Sequence, residues 1–228
     1  MAYLNNVKIL PEGFEQCQVR CENDQMSKTS YHHGDLAAAL VGAAVAEVRA
    51  VGAEKVSLRS VCATLNVSPS AAYHYFPDKD ALLGATGGAV FELFGQRMQE
   101  AFDSVVGDDA ESAQERLTTL AQGYIDFALE EPHLFRLAFG AYCVSPVGDT
   151  FMDLGRGGLA GNLLVTALDD LERLDVISPQ ARQFGEVLCW SSVHGLATLI
   201  LEGHISELAI PTLLDALRFA LVMDGKVA

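Results

Sequence analysis

Apolar positions along this chain recur at the three- and four-residue spacing of a helix, and no segment alternates convincingly as a strand would. Leu36 to Val51 reads as an amphipathic first helix. Leu58, Val61, Cys62 and Leu65 then fall at i, i+3, i+4 and i+7, which gives a short second helix one apolar face. Ser57 is placed to N-cap it, and Asn66 can stop it because Asn tolerates a left-handed backbone. Ser68 and Pro69 make the cap and first position of a third helix. That helix is expected to reach Pro77, which lacks a donor and restricts Phe76. Asp78 caps a long helix running to about Phe102, weakened near Gly87-Gly88. Beyond a loop at 107–109, helices are expected at 110–131 and 132–140. After a second loop at 145–148, others end near Leu174, run from Ser178-Pro179 to Glu202, and close the chain between Pro211 and Met223. The expected fold class is all-α: a tail at 1–26, a three-helix helix-turn-helix unit at 27–83, and a helical bundle at 84–228.

Two short helices joined by a tight turn form the unit that sets a helix into the DNA major groove. On the second of them Ala72 and Phe76 lie one turn apart and should face inward. Ser70 and His74 project oppositely, flanked by Ala71 and Tyr73, so these four are expected to face the groove. Tyr73, Tyr75 and Lys79 suit phosphate contacts through a phenol or an ammonium. Ser57, Arg59 and Ser68 at the helix starts, and Lys28 in the preceding arm, complete the candidate DNA contacts. The plainer alternative is a helical hairpin with a solvated polar face.

The run from Tyr31 to Leu83 resembles the N-terminal domain of the TetR (tetracycline-repressor) family of bacterial transcription regulators. The resemblance is carried by Val56-Ser57-Leu58-Arg59, Val67-Ser68-Pro69, and the stretch Tyr73-His74-Tyr75-Phe76-Pro77-Asp78-Lys79-Asp80-Ala81-Leu82. Asn66 stands where the family usually has Gly, and Val61-Cys62 where Ile-Ala is common. Trp190, His194 and Gly195 resemble the WHG-type effector domain of one branch of that family, as does the run Tyr31-His32-His33-Gly34-Asp35-Leu36. The resemblance implies a ligand-responsive homodimeric repressor binding a pseudo-palindromic double-stranded operator, with the last two helices paired across the dimer.

Charge modifies this picture. The 228 residues carry a net charge of −15, unusual for a nucleic-acid binder. The acid is unevenly spread, however: residues 1–86 hold seven Lys/Arg against nine Asp/Glu, and residues 87–228 hold eight against twenty-one. The segment Ser68 to Pro77 has no carboxylate. Weak non-specific DNA affinity is therefore expected, since that term comes from phosphate neutralisation. No apolar run is expected to approach the length needed to span a bilayer and no secretory signal is evident, so a cytoplasmic protein is expected. Five cysteines, an odd number, argue against a disulfide scaffold.

In the C-terminal half Tyr124, Phe127, Phe135, Phe139, Tyr142, Trp190 and His194 are candidates to line a pocket for a small apolar effector; plain core is the alternative for each. An enzyme is not expected. Gly155-Arg156-Gly157-Gly158-Leu159-Ala160 fits a loose dinucleotide pattern, but no strand precedes it. The six histidines lack metal-ligand spacing, and no cofactor is implied. A helical interaction module without DNA binding is the remaining rival.

Overall fold

The computed structural model describes residues 33–140 and 158–223, and every regular element among them is helical. Helix α1 spans His33–Val51 and buries Leu40, Ala44 and Val48, one turn apart. It stops at Gly52, whose φ of +83° is a conformation other residues reach only with strain. A 3-10 turn at Ala53–Lys55, which the periodicity did not suggest, leads into α2 (Leu58–Thr64) and α3 (Pro69–Tyr73). The long α4 (Lys79–Asp103) follows, then α5 (Ala110–Glu130), α6 (Pro132–Ala138), α7 (Leu159–Arg173), α8 (Pro179–Leu201) and α9 (Ile210–Met223). A second 3-10 turn, Glu207–Ala209, precedes α9.

The helix starts are chemically defined. The side chains of Ser57, Ser68, Asp78, Asp109 and Ser178 each accept from a backbone N–H three residues on. A cap of this kind contributes about 1 kcal/mol. Helix α4 runs unbroken through Gly87-Gly88, as the single long helix expected there. Helices α1, α5, α6 and α7 all pack on it. That packing outweighs the roughly 1 kcal/mol each glycine costs.

Helix α8 corrects the membrane expectation. Over an 18-residue window its mean hydropathy is 1.4, long and apolar enough by composition to cross a membrane. Glu186, Ser191, Ser192 and His194 interrupt the apolar run, yet the helix remains apolar on average. One side of α8 packs on α5, α7 and α9. Only 28% of that window is buried within the chain, leaving an apolar surface uncovered. Phe184 and Leu199 of α8 and Phe219 of α9 are among the large apolar side chains left exposed.

Candidate functional site

The reading unit is built from short-range chemistry. Ser57 and Ser60 cap α2 reciprocally: the Ser57 hydroxyl accepts from Ser60 N–H at 3.0 Å, and Ser60 Oγ accepts from Ser57 N–H at 3.1 Å. Leu58, Val61 and Cys62 are buried beneath it. Asn66 takes φ 53°, the left-handed stop its residue type allows. Regular helix in α3 ends at Tyr73, short of Pro77, because Tyr75 and Phe76 both donate to the Ala72 carbonyl at 2.9 Å and tighten the last turn.

Ser68, Ser70, Tyr73 and His74 are exposed on this unit, Tyr73 at 50%, while Ala72 and Phe76 are buried on the opposite side. Ala71 and Tyr75 are half-buried and pack against the core, so each offers less surface than its neighbours. Arg59 is exposed on α2, and Ser57 is half-buried in its cap. Lys79 is already engaged: its ammonium donates to the Glu54 carbonyl at 2.7 Å, tying the start of α4 to the turn after α1. Lys28 lies outside the described residues.

An apolar cavity of about 110 Å³ opens among α4, α5, α7, α8 and α9. Phe91, Phe94 and Met98 of α4 form one wall, and Leu117, Ala121 and Tyr124 of α5 another. Phe139, Leu164, Trp190 and Leu217 help close it. Tyr124 Oη lies 2.8 Å from His194 Nδ1, and Trp190 Nε1 donates to the same phenol oxygen at 3.4 Å. Desolvation holds His194 below its ordinary 6.5, and burial holds Tyr124 above its ordinary 10. The imidazole is therefore neutral at pH 7, and the hydrogen-bond network assigns it as acceptor from the Tyr124 hydroxyl. Burial pushes the Cys189 thiol in the wall up to about 12, leaving it protonated.

Among the pocket candidates, Tyr124, Phe139 and Trp190 line the cavity. Phe135 and His194 sit a layer behind, their rings 5.5 Å apart and each against Tyr124 and Phe139. Phe127 is fully buried against Phe94, 5.2 Å between ring centroids, and does not reach the cavity. Tyr142 lies outside the described residues. Phe91, Phe94 and Met98 of α4 are not among the sequence candidates, because the pocket candidates come from the C-terminal half alone. The spacing of Leu117, Ala121 and Tyr124 at i, i+4 and i+7 was the signal available for α5.

The two regions touch at α6. Arg49 Nε of α1 donates to both Glu131 carboxylate oxygens, at 3.0 and 2.9 Å. A Cβ on Gly52 would lie 3.3 Å from the His133 ring, so α6 packs directly on the end of α1.

Comparison with known proteins agrees with this architecture. Residues 40–86 match the family described as "Bacterial regulatory proteins, tetR family", and residues 117–222 match "Tetracyclin repressor-like, C-terminal domain". Two solved structures share the fold. A protein of unknown function from Rhodococcus sp. RHA1 is 24% identical, with a TM-score of 0.67 over 86% of this chain and 100% of its own. A TetR family transcription regulator from Marinobacter aquaeolei VT8 is 23% identical, with a TM-score of 0.54 over 81% of this chain and 94% of its own. No curated protein matches significantly. Helix-turn-helix unit and helical C-terminal region together define a DNA-binding transcriptional regulator. The chain belongs to the TetR family.

Proposed function

We propose that this regulator is a homodimeric, ligand-responsive repressor that binds a pseudo-palindromic operator in the bacterial cytosol. One observation carries the reading: α4 begins at the reading unit, through Lys79, and one wall of the apolar cavity is formed by Phe91, Phe94 and Met98 of the same helix. A molecule entering the cavity therefore bears on the element that sets the reading unit's position. An approximately 100-fold change in operator affinity needs about 2.7 kcal/mol of coupling, which the ligand must supply by binding the two states differently. No catalytic step enters this reading.

The region at 27–83 is read as the DNA-binding domain and 84–228 as the effector and dimerisation domain. Ser68, Ser70, Tyr73 and His74 are the side chains offered to the groove, and Arg59 to the backbone. Dimerisation is supported by the uncovered apolar surface of α8 and by Gly195, around whose missing Cβ nothing lies within 4 Å in the single chain. Two reading units about 34 Å apart would meet successive major grooves on one face of the DNA.

The test is selection of fragments from a random DNA pool by the purified full chain at moderate salt. An enriched inverted repeat is the expected result. No enrichment, from protein demonstrated to be helical and dimeric, would overturn operator binding by the free dimer.

A further inference from the structure

Each polar side chain lining the cavity already has a hydrogen-bond partner. Thr118 Oγ1 donates to the Gln114 carbonyl at 2.9 Å. Tyr124 and Trp190 are tied to each other and to His194. Glu186 accepts from Arg182 at 3.0 Å, and Arg218 donates to Gln114 Oε1 at 3.3 Å. Glu186 and Arg218 carry opposite signs on α8 and α9, so together they impose little net field. Arg218, whose partner Gln114 is neutral, is exposed at the rim and keeps its charge in water. An ion entering the apolar interior would therefore lose its own water without a buried counter-charge to replace it, which is strongly unfavourable.

Shape and surface select as well. Phe91, Phe94, Tyr124, Phe139 and Trp190 present ring faces and edges to the space. At about 110 Å³ the cavity is on the scale of the roughly 150 Å³ apolar cavity that accepts benzene. We infer that the effector is an uncharged, single-ring aromatic molecule carrying at most one neutral hydroxyl. This rests on the effector reading of the cavity given above.

Trp190 is the chain's one tryptophan and lies in the wall, so its fluorescence reports occupancy directly. The experiment titrates the full chain with benzyl alcohol, benzoate and benzylammonium at neutral pH, by Trp190 fluorescence and calorimetry. It repeats the titrations on two variants that fill the cavity from different helices, Ala121→Leu and Leu164→Phe, each checked for helical content. Benzyl alcohol is expected to bind at least ~100-fold more tightly than either ion, a gap set by desolvation, and to lose binding in whichever variants fold. Benzoate or benzylammonium binding as tightly as benzyl alcohol, and lost in the filled variants, would overturn the ligand class and leave the effector cavity standing. Failure of benzyl alcohol to bind the wild-type chain would also overturn the class. Benzyl alcohol binding that survives in a folded filled variant would overturn the cavity as the effector site.

Discussion

Arg49 and Glu131 join the reading unit to the bundle through one guanidinium nitrogen that meets both carboxylate oxygens, at 3.0 and 2.9 Å. Glu131 is the residue at which α5 ends and α6 begins. Two turns further on, Phe139 lines the cavity. The pair thus sits where a displacement of α6 would be felt by α1.

Arg49→Met is expected to cost less than about 1 kcal/mol of stability, because the pair is only partly buried and such pairs contribute little. Its effect on regulation should be larger. Ligand-driven release from the operator should weaken several-fold while the melting temperature barely moves. Equal ligand response in variant and wild type, measured by titrating a labelled operator complex, would remove the pair from the coupling route.

Tyr124→Phe leaves the His194 Nδ1 acceptor and the Trp190 N–H without their shared partner. A loss of about 1–3 kcal/mol in unfolding free energy is expected, the usual penalty for an orphaned buried polar group. Chemical denaturation of both proteins measures it. A neutral effect would mean that the network contributes nothing net to the fold.

The neutral His194 makes stability depend on pH. Its pKa is lower in the folded chain than in the unfolded one, so between the two values the unfolded chain binds more protons. This contribution is fully present above about pH 6.5, the ordinary value, and is lost as pH falls to the folded value. Melting temperature should therefore drop from pH 7.5 to pH 5.5, and the drop should be smaller in His194→Leu. An identical slope in that variant would assign the pH dependence elsewhere.

At the reading face, His74→Ala and Ser70→Ala should each relax discrimination at particular operator positions, by roughly 1–3 kcal/mol per lost base contact. Arg59→Ala should instead weaken binding to all sequences and lower the salt slope by about one. Binding to a panel of single-base operator variants at two salt concentrations separates the outcomes. Uniform weakening by all three would remove direct base readout by Ser70 and His74.

Gly195→Leu tests the uncovered face of α8. Nothing in the single chain lies within 4 Å of the added Cβ, so the monomer's helicity should survive. Dimerisation should fail, seen as a half-mass species by sedimentation and a loss of operator affinity. A fully dimeric variant would place the interface elsewhere.

The reading unit was legible residue by residue because its determinants are local. Ser57, Ser68 and Asp78 cap within three residues, Asn66 stops α2 through its own backbone tolerance, and Leu58, Val61 and Cys62 share a face by period alone. Helix ends were less secure. The early stop of α3 depends on two N–H groups competing for the Ala72 carbonyl, which no pattern encodes.

The cavity is the opposite case. Tyr124 and Phe127 lie three residues apart on α5, yet one lines the cavity and the other is sealed against Phe94. Composition marked both as apolar and could not rank them. Helix α8 reads from sequence equally as core or interface; only its packing on α5, α7 and α9 leaves one identifiable surface uncovered. The amino-acid sequence by itself determined the helices, their caps and the turn that presents α3, because each follows from neighbours along the chain. The cavity wall, the Arg49–Glu131 junction and the exposed face of α8 were decided by tertiary structure, because each joins residues tens of positions apart that only packing brings within reach.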